Sequence, residues 1–179
     1  MPRGRWHFDW LPAGTVETLG RLVKDVLGRL DQVLNAERWN CLVSHSADQN
    51  LATATPTVLT WDTEAWNVAA VHSTTTNPTR LTIPSGAVVG PWLIQAQVSW
   101  DIGTTGYRRI QIRKNGATVL GSSSATPNPT VATDQQVSAS DHTPTVGDYY
   151  ELVATHTQGA GLVVLHGRGA TWFAIFHGW

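Results

Sequence analysis

Between Thr15 and Arg38, apolar residues recur in alternating steps of three and four: Val16, Leu19, Val23, Val26, Leu30 and Val33 fill the a and d sites of three heptads. No other feature constrains the fold as strongly, because a seam of this period is a helix that must bury one stripe. Leu22, Leu27 and Leu34 flank the seam at g and e positions, so the stripe is wider than two strands need. Valine at both a and d favours three or four strands for the same reason. Gly20 and Gly28 each cost about 1 kcal/mol relative to alanine, so the helix is not expected to stand alone. It reads as a short trimeric coiled coil; the competing reading is one amphipathic helix lying on its own domain's core. Glu17 with Arg21 and Asp25 with Arg29 are i,i+4 pairs that fit either reading.

Ahead of the helix, residues 1–14 concentrate Arg5, Trp6, Phe8, Trp10 and Leu11 before Pro12 and Gly14 interrupt the chain. Three large aromatics within five residues cannot pack against one another, so this segment is expected to anchor on a partner. Thr15 is placed as the helix N-cap, with Glu17 in the first turn.

After Arg38 the period changes from helical to alternating. Charged residues make up only 14% of the 179-residue chain, which has nine tryptophans and a net charge of −1. Low charge with many β-branched and aromatic residues indicates an all-β body over 39–179. The neutral balance argues against a nucleic-acid partner. A single cysteine, Cys41, rules out an intrachain disulfide and reads as a small buried apolar residue. No apolar run is long enough for membrane insertion, and the first residues lack the apolar stretch of a secretory signal.

Strands are expected at 39–46, 57–61, 80–83, 91–100, 107–113, 117–120, 135–140, 149–156, 162–166 and 171–176. In 91–100 the residues Trp92, Ile94, Ala96, Val98 and Trp100 share one face and should be core. Ile110 and Ile112 point inward on the next strand, and Asn115-Gly116 marks a tight hairpin. Residues 121–133, rich in Ser, Thr, Pro and Asn, should form an exposed loop. About ten short strands with regular turn signals suit a sandwich or jelly roll.

The order of these signals from Cys41 onward resembles the C1q/TNF-like jelly-roll domain, particularly the versions in bacteriophage virion proteins. The matching pieces are "SADQNL" at 46–51, "TVLTWDTEAWN" at 57–67, "RLTIP" at 80–84 and "WLIQAQVSW" at 92–100. They continue with "YRRIQIRKNG" at 107–116, "GDYYELVATHTQG" at 147–159 and "TWFAIFHGW" at 171–179. The resemblance implies a two-sheet jelly-roll protomer in a threefold trimer behind a coil or stalk. The chain has no collagen repeat and ends in Phe176-His177-Gly178-Trp179 rather than a short aliphatic run, which favours the phage type over the secreted animal type. Tyr149, Glu151, Trp172, Ala174 and Phe176 are then the expected trimer contacts of the head.

Catalytic patterns are lacking: no H-E-x-x-H, Gly-x-Ser-x-Gly or phosphate-binding loop occurs. His156 with His166, Asp62 with Glu64 and Asp148 with Glu151 were the pairs to weigh, and histidines at strand ends and turn-forming aspartates explain them better. Asp101, Asp134 and Asp141 have no calcium-ligand spacing, so no metal or other cofactor is expected. The tryptophans on strands read as core or subunit-contact residues rather than sugar platforms. The sequence thus leads to a non-catalytic homotrimeric structural protein on the surface of a tailed-phage virion, as capsid decoration, head fibre or tail fibre. Its other partners would be capsid or tail proteins. The alternative is a fibre module that recognises a host surface receptor or glycan through loops 73–79 and 122–133.

Overall fold

The computed structural model describes residues 14–36, 40–87 and 90–177, with side chains on the helix for 17–30. The chain divides into two compact units between Asn35 and Ala36. The anchoring residues Arg5, Trp6, Phe8, Trp10 and Leu11 lie outside the described residues, as do the side chains of Val16 and Val33.

In the first unit, α1 runs Thr15–Ala36, 22 residues or about 33 Å of helix. Gly14, at φ +95°, accepts the first helical bond from Thr18 N–H at 2.9 Å, so the turn into the helix is made by glycine, one residue before the expected cap. Leu19, Leu22, Val23, Val26, Leu27 and Leu30 are each about half exposed, from 48% at Val23 to 58% at Leu22. Asp25 and Arg29 pair at 3.6 Å on the exposed surface, a contact that contributes little in water.

Among its described residues the second unit has twelve strands: β1 Cys41–Ser44, β2 Gln49–Leu51, β3 Thr57–Val58, β4 Thr63–Asn67, β5 Arg80–Thr82, β6 Trp92–Trp100, β7 Arg108–Lys114, β8 Thr118–Ala125, β9 Thr133–Asp141, β10 Tyr149–His156, β11 Leu162–Val164 and β12 Trp172–His177. They form two antiparallel sheets. In the larger, β6 pairs with β9 along one edge and with β12 and then β11 along the other; β1 and β4 continue beyond β12, and β2 beyond β11. In the smaller, β8, β7 and β10 lie side by side, with β3 and β5 both on the far edge of β10. This is the two-sheet jelly roll expected from the sequence.

Alternation fixes the core. Trp92, Ile94, Ala96, Val98 and Trp100 all face inward, as the period of 91–100 requires, and meet Ile110, Ile112, Tyr150, Leu152 and Ala154 of the other sheet in one cluster. Trp61 packs on Phe173 with ring centroids 5.7 Å apart. Each such buried ring or aliphatic side chain stabilises the head by roughly 1.5–3 kcal/mol. Cys41 is buried as expected; desolvation, helped by the Glu64 charge, pushes its thiol up to about 12.

The main departures from the sequence reading are two strands and one strand extension. The connection 46–56, read as polar loop, contains β2, and 62–67 contains β4. Both are short edge elements whose polar residues face solvent, so no apolar alternation marks them. Residues 121–125, read as loop, extend β8, because Gly121 lets the backbone approach Ser138 and Val137 of β9 to within a distance where a Cβ would lie 2.9 Å from the Ser138 carbonyl oxygen.

Candidate assembly face and polar clusters

β12 alternates: Phe173, Ile175 and His177 point into the core, and Trp172, Ala174 and Phe176 point out of the larger sheet. Register places Gln97, Gln95 and Leu93 of β6 beside them on one side, and Ser44 and Leu42 of β1 on the other. Trp66 of β4 lies opposite Leu42 and is 40% exposed. Leu42, Leu93, Trp172 and Phe176 are only partly covered, whereas Ala174 is fully buried. The outward face of the larger sheet therefore carries a contiguous apolar band bordered by Gln95, Gln97 and Gln136, with Gln136 Nε2 donating to Gln97 Oε1 at 2.8 Å. An exposed sheet face is normally polar, so this band is a candidate contact surface.

Tyr149 and Glu151, also expected as trimer contacts of the head, stand on the outward face of the smaller sheet. Arg80 Nε donates to Glu151 Oε1 at 3.0 Å, and its guanidinium covers the Tyr149 ring at 3.9 Å. They therefore lie on a different sheet from Trp172, Ala174 and Phe176. Leu42 and Leu93 were missed because one outward apolar residue among polar neighbours carries no periodic signal, whereas Trp66 was among the strand tryptophans read as core or subunit-contact residues.

Each end of the sandwich is closed by a buried polar cluster. At one end Lys114 Nζ lies 2.7 Å from Asp141 Oδ2 and 2.8 Å from Asp148 Oδ2, and the Tyr150 hydroxyl donates to Asp141 at 2.9 Å. Asn115 Nδ2 and the Thr145 N–H donate to Asp148, each at 2.8 Å. Burial opposes the charged form of both aspartates, but bonds from Lys114, Tyr150, Asn115 and Thr145 win and hold the carboxyls below their usual range. Burial likewise opposes the Lys114 ammonium and is outweighed by the two carboxylates, so its pKa is raised. Burial and the Asp141 charge push the Tyr150 phenol up.

At the other end Arg108 is fully buried. Its guanidinium donates to the Thr105 and Tyr107 carbonyls at 3.2 and 3.3 Å and to Gln158 Oε1 at 2.6 Å. No carboxylate pairs with it among the described residues, and burial lowers its pKa. Gln135 joins this end to the core, accepting from Trp100 Nε1 at 3.0 Å. Parity was the available signal: once Ile110 and Ile112 point inward, Arg108 and Lys114 must do so too.

The remaining candidates are accounted for by local bonding. His156 bonds the Leu51 carbonyl oxygen at 3.0 Å, while His166 bonds Asp48 at 2.7 Å. Asp62 accepts from the N–H and the hydroxyl of Ser46, bonds between distant segments rather than within a turn of its own. Loop 73–79 is organised by Ser73 Oγ, which accepts from Thr76 N–H at 3.0 Å. Asn128 Oδ1 does the same for Thr130. Among the described residues no group of three His, Cys, Asp or Glu side chains is placed to hold a metal ion, and no helix is long and apolar enough to cross a membrane.

No family model matches the sequence, and no curated protein does. Solved structures do. The globular domain of zebrafish complement 1qA protein aligns with a TM-score of 0.55 at 13% identity over 78% of this chain and 97% of that one. Eiger TNF from S. frugiperda aligns at 0.53 and 12%, over 79% and 92%. Murine APRIL at pH 5.0 aligns at 0.52 and 10%, over 77% and 98%. At these identities the likeness establishes the fold, a C1q/TNF-like jelly roll.

Proposed function

We propose that the chain is a non-catalytic, homotrimeric structural protein of a tailed-phage particle, displayed on the virion surface. The observation that carries the trimer is a pair of apolar surfaces on one chain: the half-exposed stripe of α1 and the band formed by Leu42, Trp66, Leu93, Trp172 and Phe176. Association of three copies would bury each of these surfaces, the helices packing through Leu19, Val23, Val26 and Leu30 and the heads through the larger sheets. Ala174, beneath that band, sets how closely the heads approach. Tyr149 and Glu151 are left on the outward surface of such a trimer. The phage setting is supported by the sequence resemblance, by a coil in place of a collagen stalk and by the aromatic peptide at 1–14.

Native mass spectrometry of the full chain at micromolar concentration tests the assembly: a three-chain mass is expected, and a monomer alone would refute it. Antibody labelling of intact particles then tests the setting, with label expected on capsid or tail, and no label on any particle component counting against a virion role.

A further inference from the structure

The outward face of the smaller sheet has a chemistry unlike the rest of the molecule. Parity puts Arg109, Gln111 and Arg113 of β7 on it. Across the ladder stand Thr155, Val153 and Glu151 of β10 on one side, with Ser124 and Ser122 of β8 opposite Arg109 and Gln111 on the other. Arg80 of β5 lies on the far side of Glu151. Three guanidinium groups therefore share a face with one carboxylate, Glu151, in a chain whose net charge is −1. Glu151 bonds Arg80, while Arg113 turns to Gln111 Oε1 at 2.9 Å. The Nε atoms of Arg109 and Arg113 are buried and make no hydrogen bond in the folded chain. Among the described residues Arg109 makes no side-chain hydrogen bond and Arg113 only the one to Gln111, so the outer nitrogens of two forked cations, two strand repeats or about 13.6 Å apart, have donor capacity that the protein leaves unused.

We propose that this face binds an unbranched acidic polysaccharide, with Arg109 and Arg113 gripping carboxylates about 13.6 Å apart along it and Gln111, Ser122 and Ser124 bonding the sugar hydroxyls between them. Planar guanidinium matches carboxylate in a two-point contact. The amide and hydroxyl groups between the arginines suit sugars, which present hydroxyls on every ring. Nucleic acid fits less well: single strands are held by stacking on open aromatic rings, and the Tyr149 ring is covered by Arg80. The face belongs to the sheet that the proposed trimer leaves outward, yet the inference stands on the single chain and does not depend on assembly. It also differs from loops 73–79 and 122–133, where the sequence alone pointed.

Isothermal titration of the full chain with polygalacturonate is the test, with neutral dextran and poly(dT) of matched length as comparisons. Polygalacturonate should bind, with affinity falling as salt rises, and dextran should not. The double variant Arg109→Gln with Arg113→Gln should lose at least tenfold in affinity at an unchanged melting temperature. Should that pair fold poorly, Gln111→Glu, which adds a repelling carboxylate, should weaken binding in the same direction. Equal binding of poly(dT), or full affinity in the variants, would overturn the proposal. Scoring sites per chain by titration and mass per assembly by native spectrometry keeps this result separate from the trimer test.

Discussion

At the residue scale, Lys114 neutralises two carboxylates that are each about nine-tenths covered: Asp141 and Asp148 side chains are 9% and 13% exposed. Lys114→Met should cost about 3 kcal/mol at pH 7, since it leaves both charges buried with fewer partners. The loss should depend on pH. Asp141 and Asp148 are depressed in the folded state, so their contribution is complete above the unfolded carboxylate value of about 3.9. It fades as pH falls through the lower folded values. Urea midpoints at pH 7, 5 and 3 should show the gap between parent and variant narrowing at the acid end; a gap constant with pH would show that Lys114 acts by packing alone. Arg108 is the converse case, a buried cation held by carbonyls and an amide oxygen. Neither residue stood out in the sequence, although the strand parity that placed Ile110 inward had already placed both.

At the element scale, α1 offers a cleaner test of assembly than the head, because its seam can be altered without touching the jelly-roll core. Val26→Asp puts a charge at a seam position and should convert a three-chain species to monomer in sedimentation velocity, with the β-sheet circular dichroism kept. Gly28→Ala should act the other way: a Cβ there meets nothing within 4 Å, and the gain is about 1 kcal/mol per helix. A rise in helix melting temperature checks it. This helix was legible in the sequence to within two residues of its end, because a period held over three heptads is a long signal. β6 was legible for a related reason, alternation over most of its nine residues, whereas β10 and β12, buried along most of their length, were legible as β-rich runs bounded by turn signals. β2 and β4 were not, since three to five largely polar residues at a sheet edge have no pattern to read. The assembly band was half legible: Trp172 and Phe176 follow from parity on β12, but Leu42, Leu93 and Trp66 join them only through pairings that no local pattern encodes.

At the scale of the whole molecule, the jelly roll brings its two ends together. β1 leads in at Cys41 and β12 leads out at His177; the two are antiparallel neighbours, with Cys41 opposite Ile175. Strand β1 is also paired on its other edge, to β4 through Cys41, Leu42, Val43 and Ser44. The direction of a pull therefore decides how strongly the head resists it. Force applied between the two ends of the head peels β1 from β12 one residue pair at a time, like a zipper. Force that enters at Cys41 and is resisted elsewhere on the head drags β1 lengthwise, so that the ladders to β12 and β4 must slide together. Single-molecule pulling should find the second route the more resistant, by a margin visible in the rupture force. A head tethered through its leading segment and dragged by surrounding fluid is loaded along that stronger route.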